Sequence, residues 1–370
     1  MFNKQRRKSH QVKVGSVLIG GDAPVSVQSM TTTQTRDIDA TVEQIKRLEE
    51  AGVDIIRVAV LNKEDAQSLG EIKRQINVPL VADIHFHYRL ALIAAEQGVD
   101  KIRTNPGNIG DDVKMESVVE ICKERKIPIR IGVNTGSLEW DLVKSMGRYN
   151  PDALVESAMR KVRLLEEMDF HDICISMKSS EVPGMVEGYR KISELVNYPL
   201  HLGVTEAGPL MGGTIKSSVA FGLLLHEGIG DTIRVSLSTD PVEEVKVGKK
   251  ILQSLGLFSN MPDLVSCPTC GRLQTDLFGL ISRVEKVLEG IKKPIKVAVM
   301  GCNVNGPGEV GDADLGVVGS ADYLSLVRKG KVIGKFPPEQ LEVELLKELQ
   351  AFRDDEIGSN ATQPIMVPTE

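Results

Sequence analysis

Cysteine, aromatic residues and long apolar runs are all scarce in this chain, and each scarcity excludes something. Five cysteines in 370 residues are too few for a disulfide framework. Aromatics make up 4%, which argues against base-stacking platforms for single-stranded nucleic acid. The net charge of −6 lacks the basic excess of a nucleic-acid binder. No apolar stretch approaches the ~20 residues that span a bilayer. The start, MFNKQRRKSHQVKVG, is basic but has no apolar h-region, and it reads as a cytoplasmic N-terminus. What remains is ordinary for a globular protein: 41% hydrophobic and 26% charged, at a length expected to hold two domains.

From residue 25 to 255 short apolar runs alternate with amphipathic stretches. The runs are Val25–Met30, Asp54–Val60, Val78–His85, Lys101–Thr104, Ile127–Val133, Ile173–Met177, Pro199–Val204 and Thr232–Leu237. They are β-branched and nearly continuous, as strands buried on both faces must be. Eight such runs, each followed by a helical pattern, predict a closed (β/α)8 barrel. The competing open doubly wound sheet would carry Gly-x-Gly-x-x-Gly after its first strand, and none is present. An internal repeat supports the barrel: Glu50-Ala-Gly-Val-Asp-Ile-Ile-Arg57 returns as Glu96-Gln-Gly-Val-Asp-Lys-Ile-Arg103 and, loosely, as Glu227-Gly-Ile-Gly-Asp-Thr-Ile-Arg234. Residues 256–266 read as a linker. Residues 267–370 read as a small α/β sandwich domain with a polar tail.

Cys267 and Cys270 form a C-x2-C knuckle, and Cys302 follows inside Gly301-Cys-Asn-Val-Asn-Gly-Pro-Gly-Glu309. All six histidines lie at or before His226, so this domain offers no imidazole to a metal. Three thiolates with a displaceable carboxylate, Glu309, suit a [4Fe-4S] cluster. A structural zinc completed by a carboxylate, or plain thiols, are the other readings. Cys122 and Cys174 fall in a helical and a strand pattern and read as small buried hydrophobes.

At the barrel's C-terminal face, Arg57, Arg103, Arg130 and Arg234 each follow an isoleucine in a strand, and Lys178 ends another. An arginine in an apolar strand is costly unless paired or ligand-bound. Pairing with Asp83 or Glu206 would satisfy one; so many converging cations suggest an anion, and the guanidinium fork favours phosphate or diphosphate oxygens. Asn134-Thr-Gly-Ser137 and the Gly-rich Gly208–Ser217 turn add donors at strand ends. Asp83 and Glu206 are candidate proton donors or acceptors, and His85, His87 and His201 stand near strand ends.

Together, Cys267-Pro-Thr-Cys-Gly-Arg272 and the Gly301–Glu309 loop resemble the 4-hydroxy-3-methylbut-2-en-1-yl diphosphate synthase family. So do Val27-Gln-Ser-Met-Thr31, Lys101-Ile-Arg-Thr-Asn-Pro-Gly-Asn108, Arg130-Ile-Gly-Val-Asn-Thr-Gly-Ser137 and Val204-Thr-Glu-Ala-Gly208. The resemblance runs over essentially the whole chain, and the lack of an inserted domain points to the shorter bacterial form. It implies reduction of 2-C-methyl-D-erythritol 2,4-cyclodiphosphate, with ring opening and loss of water. It further implies a [4Fe-4S] cluster on Cys267, Cys270, Cys302 and Glu309, with flavodoxin or ferredoxin as electron donor. The reading of the barrel mouth fits this, with Arg57, Arg103, Arg130, Asn134, Lys178, His201 and Arg234 expected to bind the diphosphate. Two rivals come from the residues alone: a phosphate-handling barrel lyase with a structural zinc domain, using Lys178 as a Schiff-base amine, and a non-catalytic iron–sulfur sensor. Chain direction adds a last expectation. The final barrel helix ends at the face opposite the mouth, so a head-to-tail homodimer with shared active sites brings each cluster domain to a mouth most directly.

Overall fold

The computed structural model describes residues 6–105, 109, 112–302 and 310–352. The chain divides into two compact units, 1–257 and 258–370.

The first unit opens with a hairpin, β1 (Val12–Val14) and β2 (Val17–Ile19), which the sequence reading treated as terminus. Eight parallel strands follow: β3 (Ser26–Met30), β4 (Ile55–Val60), β5 (Leu80–Ile84), β6 (Lys101–Thr104), β7 (Ile129–Asn134), β8 (Ile173–Lys178), β9 (His201–Leu202) and β10 (Thr232–Ile233). Their order, β8-β7-β6-β5-β4-β3-β10-β9, is circular apart from one seam. There a single parallel bridge, Ile175↔Leu200, joins β8 to the residue before β9. The expected (β/α)8 TIM barrel is present, nearly closed. Its helices are α1 (Ile38–Glu50), α2 (Lys63–Arg74), α3 (Tyr88–Glu96), α4 (Asp112–Arg125), a short extra α5 (Trp140–Met146), α6 (Pro151–Glu167), α7 (Val182–Leu195), α8 (Leu210–His226) and α9 (Pro241–Ser254). Starts are set by side-chain caps where the sequence supplies them: Asp37, Asn62, Asn150 and Asp240 each accept a backbone N–H of the first turn.

The hairpin covers the barrel's N-terminal opening. Val12, Val14 and Ile19 form one apolar cluster with Ile55 and Val81, residues at the starts of β4 and β5. Close approach requires glycine at its turns. Gly15 (φ 56°) would place a Cβ 2.7 Å from Asp100 Oδ1, and Gly20 (φ 83°) would place one 2.9 Å from Pro199 Cγ.

The second unit is a five-stranded sheet in chain order, β11 (Asp263–Ser266), β12 (Lys296–Met300), β13 (Leu315–Gly319), β14 (Leu324–Arg328) and β15 (Lys331–Phe336). The first three are parallel and the last two antiparallel. Alternation sends Val297 and Val299 toward α10 (Leu277–Leu288) and α11 (Leu341–Ala351), and Ala298 and Met300 to a smaller cluster on the other face. The expected linker is corrected here. Asp263–Ser266 lies inside 256–266, yet pairs with Lys296–Val299 as a strand, so the connection between α9 and the sheet is shorter than predicted. Its residues Asp-Leu-Val-Ser are too few to stand out as an apolar run.

Candidate active site

The isoleucine–arginine pairs are explained by strand alternation. Ile56, Ile102, Ile129 and Ile233 are fully buried under the helices, and the arginine after each turns into the barrel. Register then brings the arginines together: Arg103 lies opposite both Asp83 and Arg130. Arg57, Lys101, Arg103, Arg130 and Lys178 are each at most 8% exposed, and Arg234 is partly buried.

Two carboxylates meet these six cations. Asp83 Oδ1 accepts from Arg103 Nη1 at 2.9 Å, and Asp83 Oδ2 lies 3.8 Å from Arg57 Nε. Burial alone would raise the Asp83 pKa, but Arg57, Arg103, His85 and Arg130 outweigh it and hold the carboxyl well below its usual range. Asp83 is therefore the arginines' counter-ion and is held ionised near neutral pH, which suits the acceptor rather than the donor half of the role expected for it. The second carboxylate is Glu244, 3.7 Å from Arg234 and hydrogen-bonded by Ser29 Oγ and the Leu237 N–H. Glu206, offered from the sequence as an arginine partner, is exposed, and its φ of 52° is left-handed. That conformation costs a non-glycine residue about 1–2 kcal/mol.

Like charges ~6 Å apart repel by about 3 kcal/mol at an effective dielectric of ~20. Burial first, then the neighbouring cations, push Arg57, Lys178 and His201 well below their ordinary values, so His201 is neutral. Lys101 is brought down to about 7 by burial, and Arg130 to about 10. Two glycines make the room. A Cβ at Gly203 would lie 2.9 Å from Lys178 Cε and 3.0 Å from its Nζ, and one at Gly132 would strike the Arg103 guanidinium.

The interior is short of acceptors. Arg130 Nη1 reaches across to Gln28 Oε1 at 3.1 Å, but Arg130 Nε, Arg234 Nε, Lys101 Nζ, Gln28 Nε2 and both His201 ring nitrogens have no hydrogen-bond partner among the described residues. Almost all are donors. An oxygen-rich anion satisfies them and reverses the repulsion in one step. Asn105, at the end of β6, adds a buried unpartnered Oδ1. Asn134 stands beside Lys178 in register at the mouth. The α8 helix, which follows β9, starts at Leu210 with no side-chain cap, after Gly208 (φ 109°).

Lys101, Asn105 and Glu244 were missed as site residues. Lys101 carried the same signal as the arginines, a cation two residues from Arg103 and so on the same strand face. Asn105 carried its signal only as part of a motif, and Glu244 none, because it reaches the barrel from α9.

Three of the five cysteines, Cys267, Cys270 and Cys302, lie on the second unit. Cys267 directly follows β11 and Cys302 follows β12, so neighbouring parallel strands end at the same sheet edge. Cys267 N donates to Val299 O at 3.2 Å, and Gly301 N donates to Cys267 Sγ at 3.4 Å. Cys302 is buried, Cys267 partly buried and Cys270 exposed on the turn before Leu273. Among the described residues no group of three or more His, Cys, Asp or Glu side chains is gathered tightly enough to hold a metal ion. Glu309 lies outside the described residues. Cys122 and Cys174 are fully buried, and burial pushes the Cys122 thiol up to about 12.

Residues 9–249 match the GcpE TIM-barrel domain, and residues 263–351 match the GcpE protein C-terminal domain. A relative from Clostridium perfringens is 57% identical over 347 residues, covering 94% of this chain and 99% of its own. One from Ruminiclostridium cellulolyticum is 54% identical, covering 93% and 98%, and one from Caldanaerobacter subterraneus is 54% identical, covering 95% and 99%. Each of the three is named 4-hydroxy-3-methylbut-2-en-1-yl diphosphate synthase (flavodoxin).

Proposed function

The chain belongs to the GcpE family, and on that premise we propose that it is an oxidoreductase converting 2-C-methyl-D-erythritol 2,4-cyclodiphosphate to 4-hydroxy-3-methylbut-2-enyl diphosphate. Two electrons enter, the cyclic diphosphate opens, and a hydroxyl leaves as water. Flavodoxin, which the relatives' names carry, or ferredoxin is the electron donor. The protein works in the cytoplasm, whose reducing conditions keep its cysteines out of disulfides.

The observation that carries this reading is the set of buried, partnerless donors inside a barrel with six cations and two carboxylates. Arg57, Arg103, Arg130, Lys178 and Arg234 bind the diphosphate, with Asn105, Asn134 and His201 completing the hydrogen bonds. Asp83 orients two of the arginines. Glu206, exposed at the end of the seventh barrel segment, is the proton donor to the leaving hydroxyl.

The cysteine corner fits a [4Fe-4S] cluster by its donor chemistry: three thiols, no imidazole in the unit, two sulfurs at neighbouring strand ends, and a backbone N–H on one of them. Cys267, Cys270, Cys302 and Glu309 would hold it. When bound, it supplies electrons one at a time, chemistry no side chain here can supply. Anaerobically isolated protein should be brown, with about four irons and four sulfides per chain. It should turn the cyclic diphosphate into product with reduced flavodoxin, and Cys302→Ala should lose colour and turnover together. A colourless, fully active preparation with stoichiometric zinc would overturn the reading and favour the lyase alternative.

The active protein is a head-to-tail homodimer in this proposal, each mouth served by the partner's cluster. The α9 helix, 14 residues, carries the chain ~21 Å away from the mouth. Residues 255–262 span at most about 26–29 Å before β11 begins, less than the predicted linker allowed. A return within one chain would use about three quarters of that reach in near-straight extension, which favours the exchange between chains.

A further inference from the structure

Lys101 lies deep in the barrel, and nothing in the fold explains its charge. It opens β6 opposite Val81, whose side chain packs under the β1–β2 hairpin, one layer below the Asp83–Arg103 pair. It is 0% exposed and its Nζ has no hydrogen-bond partner among the described residues. The groups that act on it are Arg130 from β7, Cys174 from β8 and Arg57 from β4, while it acts in turn on His201 of β9. Arg103 sits on its own strand, one layer up. Asp83 is engaged by Arg57 and Arg103, and Asp231, which acts on Cys174, is held by Arg6 and Ser9.

In such company the guanidinium groups cannot shed charge, because they stay protonated in proteins. His201 is already neutral, and burial raises the Cys174 thiol, which stays protonated. Relief of the repulsion falls to the amines. Lys101 is sealed in with no partner, whereas Lys178 reaches the mouth, beside Asn134. We propose that Lys101 takes a proton from solvent as the cyclic diphosphate enters, standing as a neutral amine beneath the free cradle and as an ammonium beneath the filled one. It is a positioning residue: its charge appears when an anion needs it and is absent when it would only repel its neighbours. Its midpoint in the free protein, about 7, puts this exchange within reach of ordinary buffers.

The inference rests on the substrate proposed above, and that substrate suits the test. Both of its phosphates lie within the ring, so it lacks the terminal phosphate oxygen that titrates near pH 6 in a monoester. A proton taken up on binding therefore goes to the protein. Anaerobic calorimetry of the cluster-loaded enzyme with the cyclic diphosphate, in two buffers of different ionisation heat, should show uptake of close to one proton at pH 8. Affinity should fall about tenfold from pH 7.5 to 8.5, because binding a proton with the ligand makes rising pH unfavourable. Lys101→Met should abolish the uptake and flatten that slope. Binding without uptake in the wild type overturns the inference whatever the variants do. So does uptake retained in Lys101→Met. Absence of any binding to the wild type instead removes the substrate reading, and this inference with it.

Discussion

Arg130 and Cys270 represent two ways of holding a functional side chain. Arg130 is 1% exposed, fixed to Gln28 across the barrel and surrounded by charges of its own sign, so its position is set before any ligand arrives and the fold carries the cost. Cys270 is exposed on a turn, with a backbone hydrogen bond from Leu273 to its carbonyl. Its neighbours Cys267 and Cys302 are held at strand ends, but the three are not gathered as a metal site among the described residues. On the proposed function the barrel is a preorganised cradle, and the cysteine corner would be completed by the cluster it holds. A rigid anion that must be oriented favours the first arrangement. A multi-metal cofactor, which brings its own geometry, needs only the second.

The largest test of this division uses both regions at once. A chain carrying Arg57→Met and Arg103→Met, co-expressed with a Cys302→Ala chain, should recover about a quarter of wild-type activity. Half of randomly formed dimers are mixed, and each has one intact site. Each variant alone should be inactive. Mixed dimers, isolated by two different tags, that stay inactive would rule out exchange between chains. A smaller effect separates the regions. Arg130→Met should weaken substrate binding ten- to a hundredfold, for a loss of ~1.5–3 kcal/mol, and leave the iron content unchanged. Cys302→Ala should do the reverse, and iron loss in Arg130→Met would show that the two sites are not independent.

The smallest effect is on stability. His201 is buried neutral, with its folded pKa depressed by burial and then by Arg130, Lys178 and Lys101. A base whose folded pKa is lowered contributes fully above its unfolded value of ~6.5, and that contribution is lost as pH falls below it. Thermal melts of the ligand-free protein should therefore lose up to about 1.4 kcal/mol per pH unit between pH 6.5 and 5.5, with the loss reduced in His201→Gln. Equal slopes in the two proteins would mean that His201 is not held neutral.

The fold was legible wherever burial on both faces forces a continuous apolar run, as in Ile55–Val60 or Ile173–Lys178. It was not legible where elements are short. The hairpin at 12–19 has three residues per strand within a basic start, and β9 and β10 have two residues each inside longer apolar runs. Within the site, the arginines were visible because charge is expensive in a buried strand. Lys101 was equally visible by that rule, but the apolar neighbours Val99 and Ile102 made the run look like plain core. Glu244 was hidden by distance: nothing within α9 marks the one carboxylate that turns toward Ser29 and Arg234. The pairing of Asp83 with two arginines was anticipated only as the bland alternative, and for those two it holds.

The hairpin across the barrel floor also sets traffic. With Val12, Val14 and Ile19 packed on Ile55 and Val81, the floor is covered among the described residues, so the proposed substrate and product would both pass through the mouth at the strands' C-terminal ends. Product and substrate share their phosphates and hence their attachment points, so a lingering product blocks the next arrival. Turnover becomes a queue at a single gate, in which release sets the pace whenever the anion is gripped too well.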